Sequence, residues 1–208
     1  MTIEMLRIVR YGALAMIAVL GLGWLAVGLG LVDVGGRAPI AERMRIGSPV
    51  VAPFTLIDQD GRTVTEAALS GRPAVLFFGF TYCPEICPTT MVTLSGLLGK
   101  MGPQADKLGV YFVSVDPERD TVAALKDYMA AFDPRIRALT GPAEQIAAIA
   151  KPLAVVYRKV AIEGSATYTM DHDATVYLIN AKGEFAGSIA YGEDATTALA
   201  KLERLAKG

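Results

Sequence analysis

Cysteine and histidine are scarce in this chain. Its 208 residues include two cysteines, Cys83 and Cys87, and a single histidine, His172. Two cysteines cannot build the disulfide framework that small secreted domains need. A domain of this size buries enough apolar surface to fold without one. The cysteines are therefore free for chemistry.

A surplus of charge of either sign is also missing, since the formal net charge is −1. The absence of a basic excess argues against nucleic acid as a partner, and the absence of an acidic run argues against a disordered tail. Repeats and low-complexity tracts are lacking as well. What the chain has instead is 52% hydrophobic and 20% charged residues, which is typical of a membrane segment joined to a soluble domain.

Residues 11–32 carry no charge and are rich in Leu, Ala, Val and Gly. About twenty such residues span a bilayer, and the run exceeds the apolar core of a signal peptide, about 7–15 residues. We predict a cytoplasmic N-terminus at 1–10, a transmembrane signal anchor at 11–32, a linker at 33–53 and a soluble domain at 54–208. A cleaved signal peptide is the alternative. Arginines flank the run on both sides, so charge alone does not fix its orientation.

The apolar pattern of residues 54–208 predicts an α/β domain. Its order implies a central mixed sheet with helices on both faces. The predicted elements are a hairpin over 54–65, a buried strand over 74–80, a helix over 91–101, a strand over 110–115, a helix over 122–132 capped by Asp120, a helix over 143–151, strands over 154–157, 175–179 and 185–190, and a final helix through Leu199, Leu202 and Leu205.

The segment 81–88, Thr-Tyr-Cys-Pro-Glu-Ile-Cys-Pro, directly follows the first buried strand. Sites in α/β folds lie beyond the carboxyl ends of such strands. Cysteines four residues apart in a helical turn share one face, so Cys83 and Cys87 can hold one metal ion or form a disulfide. A helix N-terminus there favours the thiolate. Inert buried thiols and a purely structural disulfide are the alternatives.

His172 lies in the polar segment 170–174, directly before a predicted strand. If the fold brings its ring to the two sulfurs, the ligand set suits Cu(I), or Cu(II) with an added oxygen ligand. Zinc would need a further ligand from Asp116, Asp171 or Asp173. Asp171 and Asp173 could also orient the imidazole from outside the ligand set, although a role as solvated turn residues accounts for them equally well.

Four segments resemble one known family when taken together. They are Phe-Thr-Leu-Ile-Asp-Gln-Asp-Gly (54–61), Phe-Gly-Phe-Thr-Tyr-Cys-Pro-Glu-Ile-Cys-Pro (78–88), Val-Asp-Pro-Glu-Arg-Asp-Thr (115–121) and Asp171-His172. In combination they resemble the Sco/SenC copper-binding proteins, which are thioredoxin-like assembly factors for cytochrome c oxidase. The resemblance covers about residues 50–190. It implies a thioredoxin-like fold, copper ligation by Cys83, Cys87 and His172, and a place for Asp116 close to the site.

The resemblance also implies a function and a location. The expected function is a copper chaperone that assists assembly of the CuA centre in oxidase subunit II and receives copper from another periplasmic carrier. The expected location is the inner membrane, with a single span and the soluble domain in the periplasm. The open alternatives are a thiol–disulfide oxidoreductase that keeps the subunit II cysteines reduced by cycling Cys83 and Cys87, and a redox or copper sensor.

Overall fold

The computed structural model describes residue 21 and residues 44–208. The predicted transmembrane segment at 11–32, apart from Gly21, and the first part of the predicted linker lie outside the described residues. No helix within the described part is long and apolar enough to cross a membrane. The last part of the predicted linker packs on the domain, because Met44 and Val50 are buried and Pro49 forms a β-bridge with Glu184. The packed domain therefore extends upstream of Phe54.

A central sheet contains seven strands, which are β1 (Thr55–Asp58), β2 (Thr63–Thr65), β3 (Ala74–Gly79), β4 (Gly109–Ser114), β5 (Ile136–Thr140), β8 (Val176–Ile179) and β9 (Phe185–Ile189). Their order in the sheet is β2-β1-β5-β4-β3-β8-β9. Strands β3, β4 and β5 are parallel to one another, whereas β1 joins β5 and β8 joins β3 in the antiparallel sense. The sheet is therefore mixed, as predicted.

Within residues 44–208, four α-helices accompany the sheet: α1 (Ile86–Met101), α2 (Val122–Met129), α3 (Ala143–Ala150) and α4 (Ala195–Lys207). Every residue of β3 and β4 is buried. Because successive side chains of a strand point to opposite faces, this burial requires cover on both faces, which is usual for parallel strands. Helix α1 packs against α4, and α2 packs against β5. The prediction of helices on both faces is confirmed.

Helix α1 follows from its apolar spacing. Met91, Leu94, Leu97, Leu98 and Met101 are all buried, as the sequence predicts. The predicted cap of α2 is wrong. The side chain of Thr121 accepts the capping hydrogen bond from the backbone N–H of Ala124, at 3.2 Å. Asp120 precedes this cap and is buried.

Three strands depart from the prediction. Strand β5 was not predicted, because Arg137 interrupts its apolar residues. Strands β6 (Tyr157–Ala161) and β7 (Tyr168–His172) form a separate two-stranded sheet. The strand predicted over 154–157 shares only its last residue with β6. We call this pair, residues 157–172, the β6–β7 hairpin.

Candidate metal centre

The first cysteine lies in the loop that leaves the carboxyl end of β3. The backbone N–H of Cys83 donates to the carbonyl of Phe80 at 3.2 Å, which begins a turn ahead of α1. Helix α1 then starts at Ile86, so Cys87 lies in its first turn, where the helix dipole favours negative charge. Cys83 is half-buried and Cys87 is buried; both are free thiols.

The two sulfurs differ in protonation because they interact. The backbone N–H of Cys87 donates to Sγ of Cys83 at 3.4 Å. A side-chain hydrogen bond from Cys87, opposed by burial and aided by His172, lowers the pKa of Cys83 to about 4. The same hydrogen bond, together with burial, raises the pKa of Cys87. The pair therefore holds one accessible thiolate beside one buried thiol, and the thiolate is the metal-binding and nucleophilic form.

His172 approaches the cysteines from the β6–β7 hairpin. It is the last residue of strand β7, which was not predicted, and it precedes β8 in the chain. Its Nε2 lies 3.3 Å from Sγ of Cys87. Its Nδ1 lies 2.9 Å from the backbone carbonyl of Asp173. When Nδ1–H donates to that carbonyl, Nε2 is left with its lone pair facing the sulfurs, the usual arrangement of a metal-binding histidine.

The surroundings of the imidazole are aromatic and partly closed to water. The rings of Phe77 and Phe80 meet it edge-on, with centroids 6.2 and 5.6 Å away. Burial lowers the pKa of His172, but the hydrogen bond and charge of Cys83, together with the hydrogen bond and charge of Asp173, outweigh it, so that the pKa is raised overall.

Together the two sulfurs and one imidazole nitrogen form the only group of three or more His, Cys, Asp or Glu ligand atoms found among the described residues. All three atoms lie within 4.8 Å of one another. Two thiolate-forming sulfurs and one nitrogen make a soft donor set, which suits copper. The structure therefore brings together the three residues singled out from the sequence.

Glycine at position 79 leaves room for the buried sulfur. A Cβ atom there would lie 2.7 Å from Sγ of Cys87 and 2.8 Å from Cε2 of Phe112. Such distances are below van der Waals contact. The last residue of β3 therefore has to be small for Cys87 to occupy its place.

The predicted supporting aspartates behave differently from one another. Asp116 is buried and bonds to Arg119 and, at 2.8 Å, to the hydroxyl of Tyr168 at the start of β7, so it supports the strand that carries His172. Asp171 is exposed and pairs with Arg158, 3.0 Å away. No polar contact of Asp171 with the three-residue cluster occurs in the described structure.

Asp120 is a supporting residue that the sequence interpretation placed wrongly, as a helix cap. Its carboxylate accepts hydrogen bonds from the backbone N–H and the hydroxyl of Thr81, the latter at 2.6 Å, and from Ser114, also at 2.6 Å. Thr81 opens the loop that carries Cys83. Asp120 therefore fixes this loop to the ends of β3 and β4, and burial raises the pKa of its carboxyl group.

Curated relatives share much of the sequence. Protein SCO1 homolog 1, mitochondrial, of Arabidopsis thaliana is 40% identical over 151 residues, which cover 72% of this chain and 43% of that protein. Protein SCO2 homolog, mitochondrial, of Bos taurus is 35% identical over 168 residues, which cover 80% of this chain and 63% of that protein. The chain thus spans about half the length of these two relatives.

Solved structures are similar over nearly all of their own length. ScoI of Bradyrhizobium japonicum, determined with copper bound, aligns with a TM-score of 0.69 at 40% identity and covers 77% of this chain and 99% of that one. Yeast Sco1, also determined with copper bound, aligns with a TM-score of 0.69 at 30% identity, over 77% and 90% of the two chains. These similarities confirm the thioredoxin-like α/β fold of the described domain. The sequence model of the family described as SCO1/SenC matches residues 42–207, and the chain belongs to that family.

Proposed function

We propose that this chain is a copper chaperone that binds copper through Cys83, Cys87 and His172 and assists assembly of the CuA centre of cytochrome c oxidase. The observation that carries the proposal is the convergence of two sulfur atoms and one imidazole nitrogen within 4.8 Å of one another. Membership of the SCO1/SenC family supports it, as do two relatives determined with copper bound, ScoI and yeast Sco1.

The donor set favours copper over zinc. Structural zinc takes four protein ligands, and the sequence has no third cysteine or second histidine. The carboxylates that could complete a zinc site have other partners. Asp116 binds Arg119 and Tyr168, and Asp173 accepts from the N–H of Thr175 and the hydroxyl of Tyr177. Two thiolates and an imidazole suit Cu(I), and an added oxygen ligand from solvent suits Cu(II).

Unequal burial of the ligands suggests how the cargo ion is exchanged. Cys87 is buried, whereas Cys83 and His172 are partly exposed. An acceptor cysteine of oxidase subunit II can reach the cluster from the side of Cys83. Cys87 is then the last ligand to dissociate from copper. Another periplasmic copper carrier would load the cluster from the same side.

Copper titration of the reduced soluble domain tests the ligand set. Cys83→Ala and Cys87→Ala should each weaken Cu(I) binding at least about 100-fold, because each removes one of the two thiolates from a set of three donors. His172→Ala should weaken Cu(II) binding more than Cu(I) binding, since imidazole is the harder donor. Lys182→Ala, in the turn between β8 and β9, is a control that should bind like the wild type. Unchanged affinity in all three ligand variants would rule the proposal out.

Oxidase assembly gives the cellular test. A strain that lacks this chain should accumulate subunit II without its CuA absorption, and the wild-type gene should restore the signal. The three ligand variants should fail to restore it. Full CuA content in the deletion strain at limiting copper would contradict the proposed role.

The proposal includes the anchor at 11–32, the linker at 33–53 and a periplasmic position for the domain. Its support is the uncharged run of residues 11–32 together with family membership. Alkaline phosphatase is active only in an oxidising compartment outside the cytoplasm. Fused after residue 208, it should therefore be active and should remain in the membrane fraction. An inactive fusion, or release into the soluble fraction, would contradict the anchor.

A thiol–disulfide reductase is the second candidate, and the unequal thiols favour it. The low pKa of Cys83 provides a nucleophile, and the buried thiol of Cys87 provides a resolving group. The Cys83 thiolate would attack a subunit II disulfide and release one thiolate, which takes a proton. Cys87 would then lose its proton and attack Cys83, which releases the second thiol and leaves a Cys83–Cys87 disulfide. A periplasmic dithiol reductant would have to restore the pair.

His172→Ala separates the two functions. This variant keeps both thiols but lacks one copper ligand. If it reduces an oxidised subunit II fragment at the wild-type rate and still fails to support CuA assembly, copper handling is the essential role. If it supports assembly, thiol reduction is sufficient.

A further inference from the structure

Arg119 connects three segments that surround the metal centre. It lies in the loop after β4, and its Nε donates to the buried carboxylate of Asp116. Its Nη1 donates to the backbone carbonyl of Tyr168 at 2.9 Å. Only 20% of the Arg119 side chain is exposed. One guanidinium thus ties the β4–α2 loop to the first residue of β7.

The same guanidinium packs against the cysteine loop. Its central carbon lies 3.8 Å from the ring centroid of Tyr168, 4.7 Å from that of Tyr82 and 5.7 Å from that of Phe80. Tyr82 directly precedes Cys83, and Phe80 meets the imidazole of His172 edge-on. A cation over aromatic faces is stabilising, more so when it is shielded from water. Arg119 therefore contacts both sides of the centre without contacting a ligand.

The β6–β7 hairpin depends on such contacts because it is not part of the central sheet. Towards its His172 end, the hairpin packs on the hydrophobic core through Tyr157 and Met170, and the hydrogen bond from the N–H of Asp173 to the carbonyl of Val156, 3.0 Å long, extends the pairing of its two strands. At the Tyr168 end, the hairpin is attached through side chains, namely those of Arg119 and Asp116 together with the exposed pair Lys159 and Glu118. The exposed pair contributes little, because water screens it. Arg119 and Asp116 are the buried polar attachment, beside the apolar packing of Tyr157 and Met170 on the core.

The geometry of strand β7 links this attachment at Tyr168 to the position of His172. Tyr168 and His172 are the first and last residues of β7, and residues four apart in a strand lie on the same face. They are about 13 Å apart along the strand, at roughly 3.3 Å per residue. A small rotation of the Tyr168 end therefore moves the imidazole away from Cys87, whose sulfur is fixed by α1.

We propose that Arg119 is a positioning residue of the metal centre, which holds the β6–β7 hairpin against the cysteine loop and keeps Nε2 of His172 beside the sulfurs. The contacts of Arg119 do not depend on the proposed copper function. Only their expected effect on copper binding rests on it. Lysine cannot replace arginine fully here, because a single ammonium cannot bind Asp116 and the Tyr168 carbonyl in a plane while stacking on two rings.

The first test uses metal-free reduced protein and follows the imidazole of His172 by NMR, which is unambiguous because the chain has one histidine. Arg119→Gln should shift the ring signals and speed amide exchange in the β6–β7 hairpin at least about tenfold, since it removes a buried attachment. Arg119→Lys should lie between Gln and wild type. Arg158→Gln is the matched control, because this exposed arginine of the same hairpin pairs only with exposed Asp171; it should leave both readouts unchanged.

The second test uses Cu(II) and reads nitrogen coupling by electron paramagnetic resonance. Arg119→Gln should lose or weaken the imidazole coupling and raise the Kd for Cu(II) by about 10–100-fold, as residues that orient a metal ligand do. Binding of Cu(I), which two thiolates support, should change less. Wild-type ring signals, exchange and nitrogen coupling in Arg119→Gln would overturn the inference.

Two further variants cover a failure of Arg119→Gln to fold. Arg119→Lys and Tyr168→Phe, which keeps the ring but loses the hydrogen bond to Asp116, should each shift the His172 signals in the folded protein. If both leave the signals at their wild-type positions, the inference is wrong. If wild-type protein binds no copper while these shifts occur, the copper proposal fails and the positioning role stands.

Discussion

The Nε2 atom of His172 lies 3.3 Å from the sulfur of Cys87, although 85 residues separate them in the chain. Helix α1 fixes the sulfur on the central sheet, and strand β7 brings the imidazole from a different sheet. The donor set is therefore a product of tertiary packing rather than of a local motif. Substitutions that shift helix α1 or strand β7 should therefore change metal binding even though they remove no ligand.

Gly79→Ala should displace the buried sulfur. The added methyl group would lie 2.7 Å from Sγ of Cys87 and 2.8 Å from Phe112, so one of them has to move. Overpacking of this kind costs about 1–3 kcal/mol of unfolding free energy. We expect Cu(I) affinity to fall as well, measured by competition with a chelator of known affinity.

Gly96→Ala is the matched control for this substitution. A Cβ at Gly96, inside α1, would meet no atom within 4 Å. Alanine in a helix interior is more stable than glycine by up to about 1 kcal/mol. The same chemical change should therefore stabilise one position and destabilise the other in urea denaturation. Equal stability and equal copper affinity in Gly79→Ala and wild type would show that the strand end relaxes freely.

Alkylation of metal-free reduced protein should distinguish the two cysteines. The pKa of Cys83 is lowered to about 4 by its hydrogen bond from Cys87, so its thiolate persists at mildly acidic pH. Iodoacetamide should modify Cys83 at a nearly constant rate from neutral pH to about pH 5, with Cys87 slow throughout. Peptide mass spectrometry after timed quenching gives both rates.

Cys87→Ala should abolish this acid-stable reactivity. The substitution removes the hydrogen bond that lowers the Cys83 pKa most, so this pKa should rise towards the ordinary thiol value of about 8.5. The alkylation rate should then fall about tenfold per pH unit below that value. A rate that already falls in this way in wild-type protein would contradict the proposed thiolate.

Asp120→Asn should change how stability depends on pH. Burial raises the pKa of Asp120 above its unfolded value of about 3.9, despite hydrogen bonds from Ser114 and Thr81. Stability from this group is therefore fully present below the unfolded pKa and is lost as the pH rises through the folded pKa. Asparagine cannot ionise. The unfolding free energy of wild type relative to the variant should decrease as the pH rises from about 4.

Asp120→Ala should be more damaging than the asparagine change. It leaves the buried hydroxyl of Ser114 and the donors of Thr81 without their partner, and each unpaired buried group costs about 1–3 kcal/mol. Parallel denaturation curves across the pH range measure both effects. If the unfolding free energy of wild type relative to Asp120→Asn increased with pH, the pKa of Asp120 would be lowered by folding and the prediction would be wrong.

Asp171→Asn should be nearly silent. Its carboxylate and the Arg158 guanidinium are 60% and 72% exposed, and exposed ion pairs contribute about 0–1 kcal/mol. Copper affinity should equal that of wild type, because Asp171 supports no ligand in the structure. Asp116→Asn provides the contrast, since it breaks a buried pair with Arg119. A tenfold loss of copper affinity in Asp171→Asn would contradict this expectation and support the role predicted for Asp171 from the sequence.

The cysteine loop could be predicted because its information is local. The apolar run of β3, the spacing of Cys83 and Cys87, and the buried stripe of α1 all lie within residues 74–101. Asp120 was misplaced because Asp120 and Thr121 are both good capping residues in isolation. Asp120 turns inward because Thr81, 39 residues away, and Ser114 both donate hydrogen bonds to its carboxylate in the folded protein.

Strand β5 and the β6–β7 hairpin were not predicted, because contacts with distant residues stabilise them in place of a regular apolar pattern. In β5, Arg137 is tolerated because it pairs with the buried carboxylate of Asp58 on β1. The β6–β7 hairpin has few buried side chains, so its strands lack clean alternation. His172 could be proposed as a ligand mainly through the family resemblance and because it is the single histidine, since nothing in residues 170–174 alone indicates a strand directed at the cysteines.

The two cysteines come from the β3–α1 loop and helix α1, whereas the histidine comes from the β6–β7 hairpin, so the third donor can change while the other two stay in place. The central sheet and α1 supply a complete dithiolate, and a hairpin of residues 157–172 adds the third donor. For protein engineering, the third donor can thus be varied on a fixed pair of sulfurs. Replacing the last residue of β7 would change the preferred ion or oxidation state while both cysteines keep their places.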